Sequence, residues 1–349
     1  MNSASETRYR DQPLISHIYT ADPAVHVFDG RIYLYPSHDI PGVTDSTDGY
    51  HFAMRDYHVF SMDKIGGPVT DHGVALSLED VPWASRQLWA PDAAEKDGRY
   101  YLYFPARDKE QIFRIGVAVG DHPAGPFRAE AKPIEGTYSI DPAVFRDDDG
   151  AYYLYFGGIG GGALVQWKGG EYDPNASVPA ADEPAVCPRV ARLGTDMLSL
   201  AEPAREIEIF DPEGNPLLAG DRKRRFFESC GMHKHQGVYY FTYSTGNTHK
   251  IAYATGQSPY GPFTYRGTVL KPVAGWTTHQ YIVEIDGRWW LFYHDTQLSG
   301  KDNLRNVKVT ELEHLPDGAI KTLDPFIRWE FPSFELGRLA NLFRKITSL

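Results

Sequence analysis

Between residues 20 and 295 the chain repeats one phrase five times: a polar residue on a short extended segment, a glycine-containing turn, and a strand rich in alternating aromatics. The copies read TADPAVHVFDGRIYLYPS from Thr20, APDAAEKDGRYYLYFPA from Ala90, SIDPAVFRDDDGAYYLYFGG from Ser139, ESCGMHKHQGVYYFTYST from Glu228 and THQYIVEIDGRWWLFYHD from Thr278. Each predicts a β-hairpin. Asp-Gly at 29/30, 97/98, 149/150 and 286/287, with Gln236-Gly237 in the fourth copy, supplies residues that accept positive φ. The segments behind these turns, such as 32–35, 100–104 and 289–293, are β-branched and aromatic, as strands prefer. A further strand is expected after each hairpin: YHVFSMD from Tyr57, IGVAVGDHPAGPF from Ile115, LVQW from Leu164, IAYATGQSPYGPF from Ile251 and NVKVTEL from Asn306. Meanders that recur without helical periodicity bury their faces by packing radially on one another. The expected fold is an all-β, five-bladed β-propeller forming a single domain over 1–349, with blades over about 18–325 and a C-terminal extension over about 326–349. Within that extension, ELGRLANLFRKITSL reads as a short amphipathic helix, and the long interval 169–227 reads as a surface insertion or outer-strand excursion.

Composition narrows the partners. A net charge of −11 repels phosphate backbones, and the one basic run, DRKRR from Asp221, reads as a solvated loop, so no nucleic-acid partner is expected. No run of about 18 apolar residues offers a membrane span. The opening MNSASETRYRDQ lacks the apolar core of a secretory signal, so a cytoplasmic location is expected. Cys187 and Cys230 form neither a disulfide framework nor a Cys-x-x-Cys metal spacing, and read as free thiols.

In a propeller the first strand of every blade lines the central channel, so equivalent repeat positions converge. Eight or nine residues before the turn glycine stand Asp22, Asp141, Glu228 and His279, while the second copy offers Pro91 or Asp92 slightly out of register. Asp-Pro alone is a common turn starter. Here it occurs twice in register, and the proline is expected to bias the preceding aspartate toward extended backbone at the channel rim. Other motifs are read as structural. RDDDG from Arg146 lacks the spacing of an EF-hand, and GGIGGG from Gly157 lacks the Lys-Ser/Thr of a phosphate loop and reads as close backbone packing. HKH from His233 sits before a turn and must point one side chain outward, and Cys230 carries no papain-like signature. Carboxylates crowded at an aromatic-rich channel mouth suit glycoside hydrolysis: one acid protonates the leaving oxygen, one carboxylate activates water or attacks the sugar, and a third tunes the acid.

The motifs ADPAVHVFDGRIYLYPSHD, LWAPDAAEKDGRYYLYF, SIDPAVFRDDDG, RFFESCGMHK and WTTHQYIVEIDGRWWLFYHD together resemble glycoside hydrolase family 43, over nearly all of residues 18–325. The resemblance implies that Asp22 is the general base, Asp141 the residue that orients and tunes the acid, and Glu228 the general acid of an inverting reaction. It matches His279 to a channel histidine that in many members contacts calcium or another divalent cation held largely by water, and it implies no organic cofactor. Arg305 and Trp89, with His38 in the first motif, correspond to substrate-binding residues. The implied activity is exo-acting release of β-D-xylose or α-L-arabinofuranose from short hemicellulose-derived oligosaccharides. Alternatives from the same motifs are an arabinan-degrading member, an invertase-like retaining fructosidase, whose Glu-Cys motif ESC echoes, and a non-catalytic sugar-binding propeller. Ser229 and Cys230 depart from the residues close relatives carry beside the acid. In longer relatives a β-sandwich after the propeller completes the pocket; with little sequence after the fifth repeat here, closure is expected from loops or from a second copy in a homo-oligomer.

Overall fold

The computed structural model describes residues 8–42, 51–246 and 249–327; the amphipathic helix expected near the C-terminus lies outside them. Five antiparallel sheets follow one another along the chain. Blade I comprises Tyr19–Phe28, Arg31–Asp39, Asp56–Met62 and Thr70–Ser77, and blade II Asp92–Lys96, Arg99–Arg107, Phe113–Gly120 and Arg128–Ala129. Blade III comprises Ala143–Arg146, Tyr152–Phe156, Arg189–Arg192 and Arg205–Glu206. Blade IV comprises Phe226–His235, Val238–Thr245, Ile251–Gly256 and Phe263–Leu270, with Ile209–Phe210 added in parallel at its edge. Blade V has three strands, Gln280–Ile285, Arg288–Asp295 and Asn306–Leu312. Each innermost strand touches the innermost strands of both neighbouring blades, which closes the ring into a five-bladed propeller. Around blade V the amides of Leu14 and Thr20 bond the carbonyls of Val307 and Arg305, and Arg10 and Ile327 bond Pro325 and Arg8.

The repeated sequence explains the hairpins. Asp29-Gly30, Asp97-Gly98, Gln236-Gly237 and Asp286-Gly287 all carry positive φ at both residues, the signature of turns whose twist matches the strands they join. The third hairpin differs: only Gly150 of its pair has positive φ, and a wider loop closes through Asp147 N–H to Ala151 O and Gly150 N–H to Asp147 O. The two carboxylates Asp147 and Asp148 of that loop both hold Lys234 of HKH, at 2.8 Å each.

Packing between blades uses the same grammar. Five residues after the turn glycine in blades I, II and III stand Tyr35, Tyr103 and Tyr155, all fully buried. Their hydroxyls donate to carbonyls of the following blade region, Pro123, Met197 and Pro259, at 2.7, 2.8 and 2.8 Å. A buried phenol needs such a partner, so each ring contributes apolar area and one directed bond to the seam. Four apolar clusters fill the spaces between adjacent blades.

Two expectations are corrected. LVQW forms a 3₁₀ turn, Leu164–Gln166, and the strand pairing with Tyr152–Phe156 is Arg189–Arg192. The reason is local crowding: GGIGGG is packed into the cavity wall, where a Cβ on Gly158 would meet Ile140 at 2.6 Å and one on Gly161 the Trp89 ring at 2.6 Å. The chain must complete that wall before it can return to the sheet. The basic run is also not wholly solvated, because Arg225 is buried and bonds the carbonyls of Ala219 and Phe226.

Candidate active site

The innermost strands bring Asp22, Asp141, Glu228 and His279 around one cavity of about 650 Å³, to which Trp89 and Arg305 also contribute. Asp22 and Asp141 do not take the extended backbone that a following proline favours. Their φ values are +47° and +57°, in the left-handed region that aspartate tolerates better than most residues. The strand register shifts between Ala21 and Ala24, and again around Glu228, where Ser229 has φ +69°. Tertiary bonds hold these strained residues, as is common where a side chain must be aimed at a site.

Asp22 is the most heavily braced. Ser37 Oγ donates to its Oδ2 at 2.7 Å and Arg305 Nη1 to its Oδ1 at 3.1 Å. Its main-chain N–H donates to His294 Nδ1 at 3.0 Å. With Nδ1 accepting, the His294 proton sits on Nε2, facing Thr277 Oγ1 at 3.0 Å, so this ring fixes the Asp22 backbone. Burial is the largest single influence and would raise the Asp22 pKa, but the Arg305 guanidinium, His294 and His279 together outweigh it and hold Asp22 well below the usual range. Arg305 is in turn gripped by Asp39 through Nε at 2.9 Å and Nη2 at 2.8 Å, a bidentate fork whose planar geometry fixes the guanidinium.

The other two carboxyls form a coupled pair. Burial and the charge of Asp22 raise Glu228 to about 7. Burial, then the charges of Glu228 and Asp22, raise Asp141 as well. Ser229 N–H donates to Asp141 Oδ2 at 2.7 Å, a bond that favours the ionised form of Asp141. The pair therefore retains one proton into the neutral range, and the amide from Ser229 directs it to Glu228. Ser229 Oγ donates to Gln280 Oε1 at 2.8 Å, and the neighbouring Cys230 thiol is buried and pushed up by burial and by Asp141. Neither property suits Cys230 to nucleophilic work.

The second copy's carboxylate does not join the cavity wall. Asp92 is spent on bonds between blades, accepting from Val144 N–H at 2.6 Å and pairing with His26 Nε2 at 2.7 Å. His38 also stays outside. Side chains alternate across a strand, so Ser37 and Asp39 face Asp22 and Arg305 while His38 points away and meets Asp56 Oδ1 at 2.6 Å. The apolar wall is built by Trp89, whose Nε1 donates to Phe52 O at 2.8 Å and whose ring lies 4.6 Å from Phe113. His51, Phe52 and Met54, together with Trp276 and Asp302, are also part of the lining; sequence reasoning did not single out any of these. It also missed Asp39 and His294, though a signal existed: Ser37 and His294 both stand seven residues after their turn glycines, and one parity points both at Asp22.

A carboxylate kept ionised by an arginine and an acid kept protonated by burial, facing one cavity, divide the work of cleaving an acetal. The model of the glycosyl hydrolases family 43 matches residues 11–320. A xylosidase/arabinosidase of Bacteroides ovatus is 55% identical over 92% of this chain and 98% of its own length. Xylosidase/arabinosidase 43A of Humicola insolens is 58% identical over 90% and 99%. A β-xylosidase/α-arabinofuranosidase from a compost metagenome, solved with xylotriose in a calcium-free form, superimposes with TM-score 0.90 at 62% identity, covering 92% of this chain and 99% of that one. The propeller, its braced carboxylates and these similarities agree: the chain belongs to family 43 of the glycosyl hydrolases.

Proposed function

We propose that the chain is an inverting, exo-acting glycosidase that releases β-D-xylose, α-L-arabinofuranose or both from the non-reducing ends of short hemicellulose-derived oligosaccharides. The observation that carries this reading is the opposite tuning of Asp22 and Glu228 within one cavity. Asp22 takes a proton from a water whose oxygen attacks the anomeric carbon, Glu228 gives its proton to the glycosidic oxygen, and the carbon–oxygen bond to the leaving sugar breaks. The products are a hemiacetal of opposite configuration and an alcohol, after which proton exchange with solvent resets both carboxyls. Asp141 sets the proton on Glu228, Arg305 and His294 fix Asp22, and the faces of Trp89 and Phe52 offer apolar surface to the sugar ring. Exo-action is tested by following xylotriose: xylose and xylobiose in equal initial amounts are expected, and turnover confined to internal bonds of longer chains would refute it.

His279 is suited to a water-held divalent cation. Burial, with the neighbouring His294 and Arg305, outweighs the opposing charge of Asp22, whose Oδ1 lies 3.7 Å from Nδ1, and lowers it to about 4, so its ring is neutral and has a lone pair to offer. No group of three or more clustered metal-ligating side chains includes it among the described residues, leaving one imidazole and water as the donor set. Such an ion would add positive charge to the channel and order water around the sugar hydroxyls. Exhaustive chelation is expected to lower kcat/KM by several-fold, restored by calcium. Unchanged rates after chelation would remove the ion from the account.

A further inference from the structure

Having no place in the sugar cavity, His38 belongs to a second constellation, formed between the second and third strands of blade I. One nitrogen or oxygen from each of His38, Asp56 and His58 lies within 4.8 Å of the others, and this is the only such group of three or more among the described residues. Its members are partly buried, with side chains 19%, 24% and 16% exposed. We propose that this cluster binds one divalent transition ion of the zinc class, as a structural site distinct from the catalytic cavity.

The placement follows from the strands. The ladder between Arg31–Asp39 and Asp56–Met62 pairs Ile32 with Met62, Tyr33 with Ser61 and Leu34 with Phe60. Pro36, which has no N–H to give, stands just beyond, and the ladder stops. Continued in the same register, His38 falls opposite Asp56, while Asp56 and His58 share a face as residues two apart. Side chains thus hold the strands together where main-chain bonds no longer do. The donor set of two imidazoles and one carboxylate suits zinc, nickel or cobalt and is poor in the oxygens calcium requires. The His38–Asp56 contact at 2.6 Å needs to widen by roughly 0.7 Å to admit an ion at usual zinc–ligand distances. His58 has an outer partner as well: its Nδ1 meets Asp71 Oδ1 at 3.1 Å, and Asp71 is held by Gly73 N–H at 2.7 Å and by His17 at 2.8 Å. A carboxylate behind a histidine in this way fixes the ring and raises its basicity as a ligand.

The site would couple to the cavity through the chain. Asp56 begins its strand directly after Phe52 and Met54 of the cavity wall, and His38 adjoins Asp39, the anchor of Arg305. The test is calorimetric titration of tag-free, chelator-stripped protein with Zn²⁺ in saturating calcium, alongside His58→Gln, Asp56→Asn and His279→Ala. One equivalent is expected for wild type and for His279→Ala, with affinity at least about ten-fold weaker in His58→Gln and Asp56→Asn. Cobalt substitution should give visible d–d bands in wild type. Should either variant fold poorly, ethoxyformylation of wild type decides: Zn²⁺ protects His38 and His58 while the exposed His17 is still modified. Absence of binding, wild-type affinity in both blade I variants, loss in His279→Ala, or unprotected His38 and His58 would each overturn the proposal.

Discussion

Replacing Glu228 with Gln is expected to lower kcat/KM on xylobiose by about 10²–10⁴-fold, the usual worth of a positioned general acid. The loss should be far smaller on an aryl xyloside whose phenolate leaves without protonation, because only the acid's contribution has been removed. The pH profile supplies a second readout. With Glu228 at about 7, wild-type activity on xylobiose falls as pH rises through that value, and the Gln variant loses this alkaline limb. The variant should gain stability where it loses activity. A carboxyl raised in the folded state from the ordinary 4.5 favours folding at low pH, and that benefit is lost as pH climbs from about 4.5 to 7. Above 7 the folded protein carries a buried charge costing up to about 3 kcal/mol. Glu228→Gln is therefore expected to unfold at higher temperature than wild type at pH 8, with the gap narrowing at pH 5. Equal pH dependence of melting in the two proteins would show that Glu228 titrates normally.

The second large effect is expected at Arg305. Exchange for Met preserves much of its stem against Phe52, whose ring lies 4.9 Å from the guanidinium carbon, but leaves Asp22 and Asp39 buried without their cation. Breaking a buried pair in this way destabilises by about 3–5 kcal/mol, measurable by denaturant unfolding. The sign with pH follows from Asp22: a carboxylate depressed in the folded state adds stability above its unfolded pKa of roughly 4 and loses it as pH falls below. The deficit of Arg305→Met should thus be full at pH 7 and shrink under acid conditions. Activity follows the same logic, since burial without Arg305 raises Asp22 and brings an acid limb into the accessible range. A variant with wild-type stability at pH 7 would show that Asp22 and Asp39 are not held as charges by Arg305.

Much of this arrangement is written in the repeat. The turn glycines give the five hairpins, and counting back from them finds Asp22, Asp141, Glu228 and His279, which the cavity gathers. Counting forward would have found more. The dipeptide His-Asp closes the second strands of both blade I and blade V, at 38/39 and 294/295, yet strand parity sends Asp39 and His294 to the site and His38 and Asp295 away from it. Asp295 there holds the buried Lys308 Nζ at 2.6 Å. A one-residue difference reverses the face, and composition does not reveal it. The backbone of Asp22 and Asp141 was illegible for another reason: the local preference before proline is weaker than the bonds from Ser37, His294, Arg305 and Ser229 that hold these residues in place. In the same way LVQW has a strand's composition, but the cavity wall claims the preceding glycines.

Direct proof of the division of labour between Asp22 and Glu228 lies in the stereochemistry of one turnover. Proton NMR of the protein acting on 4-nitrophenyl β-D-xyloside resolves the anomeric proton of the first xylose released, before mutarotation. α-Xylose first is the predicted result, because Asp22 delivers water to the face opposite the leaving group. β-Xylose first would make one of the carboxylates a nucleophile and contradict the account.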